Sequence, residues 1–229
     1  MRSRIAVLAS GGGTNLEAIL DHFDGLGEER GGDVVVVASD RARGGALDRA
    51  VARGVSTATL PATDESHARS LISLLDEHGV DLVALAGYLR LVPAEIVRRY
   101  QGRIVNVHPA LLPAFGGAGM YGRRVHQAVL DAGATVTGVT IHVVDDEYDR
   151  GPILAQWPVP VLAGDDAATL AARVLRVEHI LYPRVLDRLA RGGGPHSFRV
   201  APSDDAGAFT LVSRDDVCLA EAIERALGR

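Results

Sequence analysis

An open, doubly wound α/β sheet with mostly parallel strands is the fold class this sequence predicts. Two observations carry the prediction. Short apolar runs alternate with longer amphipathic stretches, the order in which strands and crossover helices follow one another. The runs are also continuous rather than alternately apolar and polar, as in strands covered on both faces. The size agrees: 229 residues, 47% hydrophobic and 23% charged, suit one domain that buries roughly 70% of its surface on folding.

The elements follow in order. Residues 5–9 form an apolar run closed by Ser10-Gly11-Gly12-Gly13. A helix is expected over 15–23, with Thr14 or Asn15 as its cap. A β-branched run at 34–38 precedes a helix over 46–53 that Gly54 stops. Ala68, Leu71, Ile72 and Leu75 mark one face of a helix over 64–78, ended by Gly79. Residues 80–86 are a strand ending at Gly87. Pro93 stands at the expected first helical position of a helix over 93–100. A strand at 104–107, a helix at 125–132 and strands at 136–144 and 153–161 follow, the last interrupted by prolines. The longest helix is expected over 166–189.

Residues 1–191 read as one domain and 192–229 as an extension too small for a second. Gly192-Gly193-Gly194-Pro195 reads as a linker. Runs at 198–200 and 209–212 flank Asp204-Asp205-Ala206-Gly207 as a small hairpin, and 215–227 as a short helix.

Composition excludes several functions. The net charge is −5, from 24 basic and 29 acidic residues. No basic stripe appears, so no nucleic-acid partner is expected. All basic residues are arginine, which removes a Schiff-base lysine and a P-loop lysine. Cys218 is the single cysteine, so an intrachain disulfide is excluded. The N-terminal apolar run is too short for a secretion signal. No window approaches the roughly 18 apolar residues of a membrane span. A cytoplasmic protein with no membrane partner is expected.

Three segments can carry chemistry. Ser10-Gly11-Gly12-Gly13-Thr14-Asn15-Leu16 joins the first strand to the first helix. Amides at a helix start favour an anion, and glycines let it approach. Leu16 breaks the dinucleotide spacing, so the loop is either a single-phosphate site or a tight turn. Asn106-Val107-His108-Pro109 ends a strand. Asn106 and His108, two apart, share a face at a carboxyl end, where ligands bind in such sheets; a surface histidine is the alternative. The acidic loop at 145–151 lacks the spacing of a calcium loop. It is a solvated turn or the source of a carboxylate that raises a histidine's pKa. His22, His67 and His78 are expected at the surface. His126, His142 and His179 lack zinc-type spacing with a second ligand, and no metal is expected.

Together these segments resemble the phosphoribosylglycinamide formyltransferase family of the folate-dependent formyltransferases. The resemblance rests on residues 10–16, Ala86-Gly87-Tyr88-Leu89-Arg90, Asn106-Val107-His108-Pro109-Ala110-Leu111-Leu112-Pro113, residues 145–151 and Val177-Glu178-His179. It spans roughly residues 4–190. It implies a Rossmann-like formyltransferase fold and formyl transfer from 10-formyltetrahydrofolate, the co-substrate, to the amine of 5-phosphoribosylglycinamide in purine biosynthesis. It implies catalytic Asn106, His108 and Asp149, and Gly13, Thr14, Asn15 and Glu178 on the substrate phosphate and ribose. Leu89, Arg90, Leu91 and Val92 would form the folate strip with Asn106, and Leu85, Val97 and Ile104 its apolar walls. An arginine near the folate tail in some members falls on Asp64 here.

The chemistry asks for the same residue types. Attack by an amine on a formyl carbon builds an oxyanion, which needs preorganised donors. Protons must leave the amine and reach the departing nitrogen. No covalent nucleophile is required. The partners would be small molecules, and the chain a monomer or homodimer. A formyltetrahydrofolate hydrolase, another formyltransferase of the superfamily and a non-catalytic phosphate-binding module are the alternatives. A tRNA-formylating relative would need a larger C-terminal domain and a basic surface.

Overall fold

The computed structural model describes residues 1–42, 44–61, 63–192, 201–202, 209–210 and 214–228, with side chains through 192 and again from 219. The elements are β1 (Ser3–Leu8), α1 (Thr14–Leu26), a 3₁₀ turn (Gly27–Glu29), β2 (Gly32–Ser39), α2 (Gly45–Ala52), β3 (Ser56–Thr59), α3 (Asp64–Glu77), β4 (Leu82–Leu85), α4 (Ala94–Arg99), β5 (Ile104–His108), α5 (Arg123–Asp131), β6 (Val136–Val143), β7 (Ile153–Pro160), α6 (Ala167–Ala190), β8 (Ala201–Pro202), β9 (Phe209–Thr210) and α7 (Arg214–Leu227).

Seven strands form one sheet in the order β3-β2-β1-β4-β5-β6-β7. The first five are mutually parallel, as expected; β6 runs antiparallel to β5, and β7 antiparallel to β6. Alternate residues of each central strand feed two separate cores. Ile5 and Val7 of β1, Val105 and Val107 of β5 pack toward α1 and α6. Ala6 and Leu8 of β1, Ile104 of β5 and Val83 of β4 pack toward α3 and α4. Each fully buried Val, Leu or Ile contributes about 1.5–3 kcal/mol, which is why no polar face is needed in these runs. The chain leaves β1 toward β2 and returns to its other side as β4. That reversal opens a crevice at the carboxyl ends of β1 and β4.

Some expectations are corrected. Strand β3 was not expected: Ser56-Thr57-Ala58-Thr59 is a mostly exposed edge strand without apolar patterning. Thr14 does not cap α1; Gly13 occupies the cap in a left-handed conformation, without a side-chain bond. Pro93 is the cap of α4 rather than its first residue. Helix α6 begins with a capping box, Asp166 accepting from the amides of Ala168 (2.9 Å) and Thr169 (2.8 Å). His67 is not at the surface but buried. Prolines 158 and 160 fall on the edge strand β7, where a missing N–H costs no ladder bond.

In the extension, β8 and β9 pair antiparallel, with Ala201 opposite Thr210. The expected first hairpin strand at 198–200 and the turn at 204–207 lie outside the described residues. Helix α7 brings Ile223 into the core on the α6 side of the sheet.

Candidate active site

The crevice holds a cavity of about 560 Å³ lined from β4, β5, β6, α1, α5, α6 and three loops. Its polar floor comes from β5. Asn106 and His108 leave the strand on one face, and β6 places His142 directly opposite Asn106 in register. Asn106 Nδ2 lies 3.1 Å from His142 Nε2. The loop after β6 then folds back over this pair. Gly151 permits it: a Cβ there would stand 1.8 Å from the Val143 carbonyl oxygen. Asp149, held at φ 56°, points inward. Its Oδ2 lies 3.5 Å from His108 Nδ1 and its Oδ1 3.5 Å from His142 Nε2. The Gly117 amide donates to Oδ2 at 2.9 Å. Glu147 and Tyr148 also line the cavity, and Asp145 accepts from the Glu147 amide in the turn.

His108 is 3% exposed and stands between two acceptors. Asp149 faces one ring nitrogen, and the Phe115 carbonyl lies 2.9 Å from the other, Nε2. The sequence suggested that a neighbouring carboxylate raises such a histidine's pKa. The net direction here is downward, because burial outweighs Asp149 and the Phe115 carbonyl, which both raise it. For Asp149, burial pushes the carboxyl up, but the His142 bond, the His108 charge and the Gly117 amide together hold it low. His126, from the first turns of α5, also lines the cavity. It is buried, and burial with the nearby His108 lowers it to about 4. The sequence did not single out His126 or His142. Zinc-type spacing was the signal sought, whereas strand register and helix docking bring both here.

The second polar group sits where α1 meets α6. Asn15 Nδ2 donates to Glu178 Oε2 at 2.7 Å, and both line the cavity. Burial raises Glu178 to about 6, against the bond from Asn15, which lowers it. Gly13 and Thr14 lie outside the lining. Gly13 has φ 78°, and a Cβ on it would stand 2.6 Å from Ala46 Cα. Its glycine is therefore a packing requirement of α2 against the loop. Gly11 and Gly12 are exposed with open space beside them, and Arg49 Nε donates to the Gly12 carbonyl at 2.9 Å.

The apolar wall is the loop after β4. Leu85, Leu89, Arg90, Leu91 and Val92 all line the cavity. Val97 and Ile104 do not; both belong to the core behind the wall. Leu89 and Leu91 are 37% and 44% exposed at its rim. Arg90 pairs with Asp64 and donates to the Pro61 carbonyl at 3.3 Å. Among the described residues, no group of three or more His, Cys, Asp and Glu side chains could hold a metal ion, and no helix is long and apolar enough to cross a membrane.

A family model described as formyl transferase matches residues 3–186. The chloroplastic phosphoribosylglycinamide formyltransferase of Vigna unguiculata is 46% identical over 192 residues, covering 82% of this chain and 61% of that one. The chain thus spans about three fifths of this plant relative's length. The phosphoribosylglycinamide formyltransferase of Escherichia coli is 38% identical over 192 residues, 82% of this chain and 87% of that one. The crystal structure of glycinamide ribonucleotide transformylase 1 from Symbiobacterium toebii superposes with a TM-score of 0.77 at 40% identity, covering 83% of this chain and 89% of that one. On this sheet order, this site and these relatives, the chain belongs to the formyl transferase family.

Proposed function

We propose that this protein transfers a formyl group from 10-formyltetrahydrofolate to the amine of 5-phosphoribosylglycinamide, a step of purine biosynthesis. The observation that carries the reading is one cavity lined by two polar groups and an apolar wall. Asn106, His108 and Asp149 make up one polar group, Asn15 and Glu178 a second, and Leu85 with Leu89–Val92 form the wall. The relatives' names support the same reaction. The wall fits a flat, largely apolar heterocycle, whose polar edge would meet the backbone of this loop. Glu178 accepts from ribose hydroxyls. The amides and glycines at 11–15 take the phosphate, favoured by the α1 dipole.

The co-substrate supplies the formyl carbon; the chain's residues manage charge and protons. Asn106 has an amide N–H to offer the developing oxyanion, and His108 Nε2–H offers a second once the oxyanion replaces the Phe115 carbonyl as acceptor. Asp149, kept ionised, accepts the proton the amine loses, directly or through water, and that proton passes on to the departing donor nitrogen as its bond to the formyl carbon breaks, which returns Asp149 to its ionised form. His142 fixes the Asn106 amide and shares Asp149. Small molecules are the partners in this reading, acting on a monomer or homodimer, with no nucleic acid or membrane. The cytoplasmic address belongs to the same reading, although the plant relative carries a chloroplastic name.

The test is formyl transfer from 10-formyltetrahydrofolate to glycinamide ribonucleotide, beside formate release without the amine. Transfer that depends on the amine supports the reading. Formate release at the same rate without amine favours a hydrolase. Neither activity, with the anion still bound, favours a binding module.

A further inference from the structure

The apolar wall of the cavity is a loop, so something must fix where it stands. Part of the answer is peripheral: the Leu89 amide donates to Ser10 Oγ at 3.1 Å, and Arg90 reaches Pro61 and Asp64 at the surface. The buried contact is a different one. The Tyr88 hydroxyl lies 2.5 Å from His67 Nε2. Tyr88 is 7% exposed and His67 1%. The other ring nitrogen, His67 Nδ1, lies 3.0 Å from the Pro61 carbonyl oxygen. A carbonyl only accepts, so Nδ1 carries the hydrogen. In the neutral ring Nε2 is then the acceptor, and the tyrosine hydroxyl donates. Burial, with the Asp40 charge, holds the Tyr88 phenol well above its ordinary value, so the donor stays protonated. The two ring planes lie within 25° of one another, with centroids 6.2 Å apart, so the rings meet end to end through this bond.

We propose that the Pro61–His67–Tyr88 chain is a strap that sets the donor-side wall, with His67 a positioning residue that never touches substrate. It rests on the proposed function only in taking residues 89–92 as the surface for the formyl donor. Tyr88 lines the cavity and immediately precedes that surface. Its hydroxyl anchors the loop to the first turn of α3, and His67 locks that turn to the segment leading into it. Packing alone does not call for the polar pair, since phenylalanine and leucine would fill the same space. A buried hydrogen bond adds direction, because its partners are costly to leave unpaired and strongly angle-dependent.

The test uses Tyr88→Phe, which removes one oxygen, together with His67→Ala and His67→Gln, whose amide can both donate and accept. Tetrahydrofolate binding is measured by calorimetry, alongside kcat, both KM values and melting temperature. Tyr88→Phe and His67→Ala should weaken tetrahydrofolate binding and raise the donor KM about three- to tenfold, the effect of one net hydrogen bond. Values of kcat and the nucleotide KM should stay within about twofold. His67→Gln should recover most of the loss, and the double variant should be no worse than the poorer single one. If His67→Ala does not fold, Tyr88→Phe decides. Unchanged donor affinity in Tyr88→Phe, or a joint fall of kcat and both affinities, overturns the strap. Wild-type protein that fails to bind tetrahydrofolate overturns the functional reading as well. Wild-type binding with indifferent variants overturns the strap alone.

Discussion

Replacing Glu178 by glutamine should remove a defined share of the protein's pH-dependent stability. The carboxyl is buried against Asn15 and lies at about 6, instead of the ordinary 4.5. Between those values the folded protein keeps the proton and the unfolded chain has lost it. The favourable contribution is complete below pH 4.5 and disappears as pH rises through 6. At about 1.36 kcal/mol per pH unit, that gap is worth about 2 kcal/mol by pH 7. Glutamine is neutral throughout and still accepts the Asn15 bond through Oε1. Other carboxylates contribute equally to both proteins and cancel in the difference. Urea denaturation at half-unit steps from pH 4 to 7 is the assay. Wild type should lose about 2 kcal/mol relative to Glu178→Gln across that range. Parallel curves would refute the reasoning, because they would mean that Glu178 is not desolvated. The ionised carboxylate is also the stronger acceptor for a ribose hydroxyl, so wild-type nucleotide KM should fall through pH 6 while the variant's stays flat.

Further outcomes are expected. His108→Ala should lose about 10²–10³ in kcat, as when one oxyanion donor is removed, and Asp149→Asn a comparable factor, with the double variant little worse than either. In Asp149→Asn the His108 titration, followed by NMR, should move further down, since the raising influence of the Asp149 charge is lost; a titration that stays put or rises would contradict the pairing. Gly13→Ala should destabilise by about 2–4 kcal/mol, from the left-handed backbone and the contact with Ala46, whereas Gly11→Ala, with open space beside it, should leave the urea midpoint nearly unchanged and raise the nucleotide KM. Tyr182→Phe removes a buried hydroxyl that reaches the carbonyls of Leu85 (3.1 Å) and Val105 (2.9 Å), and should cost about 1–2 kcal/mol in chemical denaturation without moving either KM.

The parallel sheet was readable because burial on both faces imposes a residue-level rule. Every position of Ile5-Ala6-Val7-Leu8 must be apolar when alternate side chains enter different cores. Strand β3 escaped the same reading because an exposed edge imposes no such rule on Ser56–Thr59. Asn106 and His108 were visible through a local periodicity, two residues on one face of a strand. Asp149 came from the family resemblance, since no local pattern tells an inward carboxylate from its solvated neighbours. Leu85 and Ile104 show the limit for apolar residues. Both are buried on the same side of the sheet, yet only Leu85 reaches the cavity, and packing alone separates wall from core.

The histidines show why composition of a site does not fix its electrostatics. A carboxylate 3.5 Å from His108 raises its pKa, and that part could be anticipated once Asp149 was paired with it. Burial acts in the opposite direction and depends on how tightly β5, β6 and the Phe115 loop close around the ring. Here it prevails, so the resting imidazole is neutral at pH 7, while acceptors face both of its nitrogens. Such a ring is poised rather than committed. It donates through Nε2 without carrying charge, and Asp149 stabilises the imidazolium if a proton arrives as the oxyanion forms. The same closure that lowers His108 also strengthens each hydrogen bond made to the reacting oxygen, because little water competes for it. Loosening the Phe115 loop removes the burial that lowers His108 together with the Phe115 carbonyl that raises it; burial is the larger influence, so the titration should move upward while catalysis weakens, a combination that loss of the Asp149 charge cannot produce.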